Sequence, residues 1–292
     1  MKEPELVKRF KIEKPNRFRL KDFDPGDTAG LDLNKAAATS LLAKHIERLA
    51  SLQQRLYAEH TWALLIILQG VDAAGKDSTI RHVMSGLNPL GCHAHSFKPP
   101  SADELDHDFL WRAAVHLPRR GSIGIFNRSH YEEVLVVRVH HDLLANERLP
   151  PKLVTKRIWD ERFEDINAFE RYLARNGTAV VKIHLLISKE EQTRRLLERL
   201  DDPAKRWKFS LQDVAERKLW DPYMDAYEEM IRNTSTREAP WYVVPADHKW
   251  FAHLVVAKVM IDVLDQLDLQ IPKADQVALR ELKQIREALM EQ

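Results

Sequence analysis

Two acids stand inside a loop whose spacing suits phosphate. The segment GVDAAGKDST, Gly70 to Thr79, places four residues between Gly70 and Gly75, and Lys76 follows directly. Glycines at those positions let a backbone turn tightly and approach a phosphate, and a following helix aims its first N–H groups at the anion. Lys76 adds a point charge beside the phosphoryl oxygens. The candidate cradle is Gly70, Ala73, Ala74, Gly75, Lys76 and Ser78. Where such loops carry a Ser or Thr for magnesium, this chain has Asp77, and Asp72 lies within the loop itself. Two carboxylates would repel a bare anion. With a hard divalent cation present they become suitable oxygen ligands, so Asp72 and Asp77 are candidate ligands for Mg2+ or Mn2+. Asp77 reads alternatively as a first-turn helix acid.

A second cluster lies in SIGIFNRSHYEEVLVVRVH, Ser122 to His140. An apolar strand followed by an acid commonly completes a phosphate-loop site. Here the strand ends in Asn127, which offers only a neutral oxygen or a hydrogen bond, so acidic work falls to Asp72, Asp77, Glu132 or Glu133. Arg128 has the fork to grip phosphate. The same Arg128, Glu132 and Glu133 would also serve as a solvated ion network at a helix start. A third cluster, RRLLERLDDPAKRWKFS, sets Arg194, Arg195, Arg199, Lys205, Arg206 and Lys208 against three acids. It reads either as a lid over phosphates, with Arg195 and Arg199 on one helix face, or as a charged surface helix. Lys98, Arg112, Arg119 and Arg120 extend the basic track beyond what one nucleotide needs, which points to a longer polyanion.

These residues need a scaffold. Short apolar runs at 62–69, 92–97, 122–126, 179–187 and 241–244 alternate with helical patterns. That order predicts an α/β fold, a central parallel sheet of about five strands between two helical layers. Ligands in such sheets bind beyond the carboxyl ends of the strands. Helices are expected over 34–59 with Asn34 as N-cap, then at 78–87, 103–116, from about 130, 152–175, 189–200, 211–232, 250–267 and 274–290. Residues 1 to about 30 read as a polar, extended arm. One domain is expected throughout: arm and first helix to about 60, a core from 61 to 267 with a lid near 190–235, and a C-terminal helix at 274–290.

Composition narrows the class. In 292 residues, 44% hydrophobic and 30% charged, the formal net charge is only +1, which gives no support for nonspecific nucleic-acid binding. A lone cysteine, Cys92, a charged N-terminus and the lack of a long apolar run lead us to expect a cytoplasmic protein with neither disulfide nor membrane span.

Taken together, GVDAAGKDST, SFKPPS with DFLWR, FNRSHYEEVLVVRVH, and KRWKFS with ERKLWDPYMDAYEEMI resemble the type 2 polyphosphate kinase family, in order from about Thr61 to Leu267. The resemblance implies a P-loop kinase-like α/β/α fold with a helical lid. It also implies magnesium-dependent phosphoryl transfer between inorganic polyphosphate and AMP, ADP or ATP, in a homodimer or homotetramer. Asp72, Lys76 and Asp77 match the family's loop, Arg128, Tyr131, Glu132 and Glu133 its second motif, and Lys208 its lid. On that reading Asn127, Tyr131 and Glu132 face the nucleotide. Asn127 departs from the aspartate of many members, and FNRSHYE resembles the subgroup acting on both AMP and ADP. An ATP-dependent nucleotide kinase and a noncatalytic polyanion-binding protein are the rival readings.

Overall fold

The architecture is that of a computed structural model, which describes residues 3–204, 206, 211–273 and 276–290. Its centre is β1, Ala63–Gln69, buried along its whole length. A continuous ALLIILQ run buries both faces of a strand, and alternate residues serve opposite sides. Leu64, Ile66 and Leu68 join one hydrophobic cluster, while Leu65 and Ile67 join the other. Parallel strands β2 (Cys92–Ser96), β3 (Ile123–Asn127), β4 (Thr178–Leu186) and β5 (Trp241–Pro245) complete the order β2-β3-β1-β4-β5 among the described residues.

One face is covered by α2 (Lys35–Glu59), α3 (Lys76–Val83) and α10 (Lys249–Gln266). Asn34 caps α2 by accepting from the Ala37 N–H. The other face carries α6 (Ile158–Arg175) and α9 (Trp220–Thr234), with α7 (Lys189–Asp201) and α8 (Leu211–Arg217) leading into α9. Among the described residues no helix is long and apolar enough to cross a membrane.

Several expected elements differ. The arm is not an extended polar segment: α1, Glu3–Phe10, buries Leu6, Val7 and Phe10, and Phe10 meets Phe251 edge-on at 5.8 Å. Ile12 then donates its N–H to Trp241 O and lies along β5, while Phe18 and Leu20 enter the opposite cluster. A few apolar side chains scattered among charges thus close one sheet edge. The helix expected over 103–116 is two short ones, α4 (Ala102–Leu105) and α5 (Trp111–Ala114), because the Asp108 side chain captures the Leu110 N–H between them. The helix beginning near 130 is a π-helical turn, Glu133–Val137. A C-terminal helix, α11, spans Gln276–Met290.

Candidate active site

Where β1 ends, the chain has no room for a side chain. A Cβ on Gly70 would lie 2.8 Å from Leu185 O of β4. Ala73 and Gly75 then take left-handed backbone angles (φ 65° and 106°), which turn the loop into α3. The unpaired N–H groups of that helix start supply an anion cradle. Beneath it lies Arg195, 3% exposed, with every guanidinium nitrogen engaged. It donates to Ala73 O and Ala74 O (both 2.9 Å), to Ala246 O and Asp247 O, and to Glu191 (2.6 Å). The structure therefore corrects the expectation that Arg195 grips phosphate: it braces the loop from below. Arg199 is half-buried on the same helix and is not part of the cavity wall. Lys208 lies outside the described residues.

Lys76 folds back beneath the loop and donates to Gly70 O (2.6 Å) and Val71 O (3.2 Å). Burial, helped by the charge of Arg128, lowers its pKa to about 8 against the pull of Asp72, Glu132 and Asp77. Ser78 turns its hydroxyl to His253 at 3.3 Å, on the α10 side of the loop.

At the end of β3, Arg128 adopts a left-handed conformation (φ 64°), an uncommon state for a long side chain. Its fork spans two acids: one nitrogen donates to Asp72 (2.5 Å), the other to Glu132 (2.8 Å). Glu132, and after it Asp72, hold the guanidinium firmly charged against its burial. With its amide oriented by the network, Gln69 donates to the other Glu132 oxygen at 3.0 Å. Asn127 donates to Asp77 at 2.8 Å, leaving its own Oδ1 buried without a partner. Glu133 is buried against Arg162 (2.8 Å), which also binds Glu147. Burial, and then the competing Glu147, push the Glu133 pKa up.

Beside the loop lies a cavity of about 880 Å³ at the carboxyl ends of β1, β2 and β3. Gly70, Asp72, Lys98, Arg112, Arg128, Glu132 and Glu133 all reach it. Arg112 stacks over Phe97 at 5.2 Å, pairs with Glu104 and donates to Lys98 O, so its position is fixed. Trp220, Tyr223 and Tyr227, at spacings of three and four on α9, form the opposite wall with Arg217 of α8. The pattern WDPYMDAY carried that signal, and Arg217 had none.

Three expectations fail on position. Tyr131 is fully buried and faces the core, donating to Glu170 (2.7 Å) and accepting from Lys182 (2.9 Å), and is not part of the cavity wall. Arg119 and Arg120 precede β3 and stand at the opposite end of the strands, where Arg120 donates to Thr61 O just before β1. Neither joins the site.

The residues present fit a divalent cation. Among the described residues no group of three or more His, Cys, Asp or Glu side chains could hold a metal. Asp72, Asp77 and the orphaned Asn127 oxygen nevertheless lie around the loop, and magnesium needs only one or two carboxylates when phosphates and water supply the rest.

Comparison with known proteins places this geometry. The family described as Polyphosphate kinase 2 (PPK2) matches residues 32–272. The chain is similar to an "ADP-polyphosphate phosphotransferase" of Rhodopseudomonas palustris, 46% identical over 287 residues, covering 94% of this chain and 99% of that one. It is also similar to an "AMP/ADP-polyphosphate phosphotransferase" of Meiothermus ruber, 46% identical over 269 residues, covering 92% and 97%. The crystal structure of Polyphosphate Kinase 2 from Arthrobacter aurescens superposes with a TM-score of 0.86 at 42% identity, covering 95% of each chain.

Proposed function

The chain belongs to the polyphosphate kinase 2 family, and from that premise we propose that it transfers phosphoryl groups between inorganic polyphosphate and nucleotides, accepting both AMP and ADP. The observation that carries the reading is the loop that holds Lys76 and Asp77 opening, through Gly70 and Asp72, onto a cavity that Arg128 also lines. Residues of three strand ends converge there, and the cavity is large enough for a nucleotide beside a phosphate chain.

In the reaction, the terminal P–O–P bond of polyphosphate breaks and a new P–O bond forms to an oxygen of the nucleotide phosphate. The shortened chain leaves as an anion. The attacking oxygen is already anionic, so no strong general base is required and catalysis is positioning plus charge neutralisation. Lys76 exchanges its two loop carbonyls for phosphoryl oxygens and regains the protonation that burial weakens. Arg128, preset by its two acids, points a bidentate donor at the same space. Lys98 and Arg112 line the path of the longer anion. Trp220 and Tyr223 offer aromatic faces to a base and exclude water.

Asp72 and Asp77 would hold Mg2+ or Mn2+, with Asn127 adding a neutral oxygen. A bound cation there neutralises charge on the reacting phosphates. We further propose a cytoplasmic homodimer or homotetramer. The deciding assay incubates the purified protein with AMP, magnesium and polyphosphate in the absence of ATP. ADP and then ATP should accumulate. Product formed only when ATP is supplied would instead identify an ordinary nucleotide kinase, and no product under either condition a noncatalytic binder.

A further inference from the structure

Glu133 and Glu147 share one guanidinium in the wall of the cavity, and the phosphoryl transfer uses neither of them. Arg162 of α6 donates from Nε to Glu133 and from Nη2 to Glu147, both at 2.8 Å. Its planar group lies over the Phe109 ring at 4.4 Å. Glu133 opens the π-helical turn, and Glu147 closes a 3-10 turn, His141–Glu147. Two separate segments thus bring their carboxyl groups to one point, and both residues border the cavity.

One positive charge stands against two acids, so the arrangement calls for a proton. Burial, and after it the charge of Glu147, push the Glu133 pKa up to about 8 against the pull of Arg162. Those two are the charged groups that face Glu133. On α9, Glu229 is engaged by Arg138, while Tyr223 and Tyr227 stand toward Glu132. At neutral pH the pair therefore presents an O–H donor on Glu133 beside an acceptor oxygen on Glu147.

This part of the wall is unsuited to phosphate and suited to a nucleobase. Carboxyl groups repel a phosphate chain, and the neighbouring Phe109, Leu135 and Leu143 are apolar. A few polar groups set in an apolar frame are what orient a flat heterocycle. Donor beside acceptor is complementary to the edge of adenine, where ring N1 accepts and the 6-amino group donates. A 6-oxopurine has the reverse order, an N1–H donor beside a carbonyl acceptor, and would leave buried groups mispaired.

We propose that Glu133 and Glu147 read the edge of the nucleotide's base and select a 6-aminopurine over a 6-oxopurine. The proposal rests on the phosphotransfer reading above. Trp220 and Tyr223 accept any base by its face, so discrimination falls to the edge.

ADP and inosine diphosphate, equal in size and opposite in edge, test it as rival acceptors with polyphosphate and magnesium. At pH 6.5, kcat/KM should favour ADP roughly 10- to 100-fold. The contact is made equally before and during transfer, so the difference should lie in the KM for nucleotide and not in kcat. At pH 8.5 Glu133 has lost its proton, the pair only accepts, and the preference should shrink. A ratio cancels the titration of Lys76, which both acceptors meet, and any partial loss of folded protein. Glu133→Gln keeps a donor at every pH, so the preference should persist and its pH dependence vanish. Glu133→Met removes the donor and should bring the ratio toward one. Equal kcat/KM for the two acceptors, a ratio unmoved by Glu133→Met, or a pH dependence that survives Glu133→Gln would overturn this inference and leave phosphotransfer standing. Transfer to neither acceptor would overturn the phosphotransfer reading itself.

Discussion

His184 carries a stability penalty that only acid reveals. It sits on β4 opposite Gln69 of β1, fully buried, with its ring 4.3 Å from that of Tyr227 and no hydrogen-bond partner on either nitrogen. Burial, followed by the charge of nearby Lys76, lowers its pKa from 6.5 to about 3. The folded protein therefore keeps this histidine neutral, while the unfolded chain binds a proton below about 6.5. The associated stability is fully present above the unfolded pKa and is lost as pH falls toward the folded one. From pH 7.5 to pH 5.0 the loss is about 2 kcal/mol, one and a half pH units at 1.36 kcal/mol each. His184→Met removes the titration and keeps an apolar side chain of similar bulk. Urea unfolding of both proteins at the two pH values isolates the term, since every other titrating group is shared. The gap between them should shift by about 2 kcal/mol in favour of the variant on acidification. Acid curves that stay parallel would refute the buried, unpartnered histidine.

Other residues separate the roles drawn above. Lys76→Ala should lower nucleotide formation from polyphosphate more than roughly 100-fold with circular dichroism unchanged, as loss of a preset charge at a transferring phosphoryl group does; near-normal turnover would remove Lys76 from the chemistry. Asp77→Asn should raise the magnesium concentration at half-maximal rate, and an unchanged titration would remove Asp77 from the metal's ligands. Arg195→Lys keeps the charge but loses the fork that ties Ala73, Ala74, Ala246 and Asp247 together, so urea unfolding should register a loss of roughly 2–4 kcal/mol. Tyr131→Phe should cost roughly 1–3 kcal/mol of stability through the Glu170 and Lys182 partners it abandons. Turnover per folded molecule should survive that change, and its collapse would return Tyr131 to the site.

Much of this arrangement was legible before any coordinate. A glycine-bounded run such as ALLIILQ leaves few alternatives to a buried strand, and the loop and helix after it follow from local chemistry. Residues set by long-range packing were hidden. Tyr131 stands beside Glu132 in sequence, yet its partners lie 39 and 51 residues away, and their polarity drew the phenol inward. Arg195 and Arg199 share a helix side by spacing, but nothing local says that one guanidinium enters the core to meet four carbonyls. The packing of the arm is hidden in the sequence because Leu6, Val7, Phe10, Ile12, Phe18 and Leu20 follow no single period. The place of Arg119 and Arg120 is, by contrast, readable from chain order. Both precede β3, and in a parallel sheet whose ligands meet strand ends, residues before a strand fall on the far side.

The acids of the loop now have partners that explain them. Asp72 neutralises Arg128, which Glu132 also holds, and Asp77 accepts from Asn127. Arriving polyphosphate must compete with carboxylates for Arg128, so a bare anion gains little there: each new phosphate contact breaks an existing charge-assisted bond. A cation held by Asp72 and Asp77 would change that balance, because it would free the guanidinium and add positive charge of its own. Phosphate and cation would then bind cooperatively, and by linkage each would raise the affinity for the other by the same factor. Asn127 suits this exchange better than an aspartate would. A third acid beside Asp77 would bind the cation more tightly in the absence of phosphate, and the coupling would weaken. Titrating polyphosphate binding at several magnesium concentrations measures the coupling directly. In Asp72→Asn, where Arg128 has one competitor fewer, the affinity without magnesium should rise and the magnesium dependence flatten; an unaltered dependence would show that Asp72 does not mediate it.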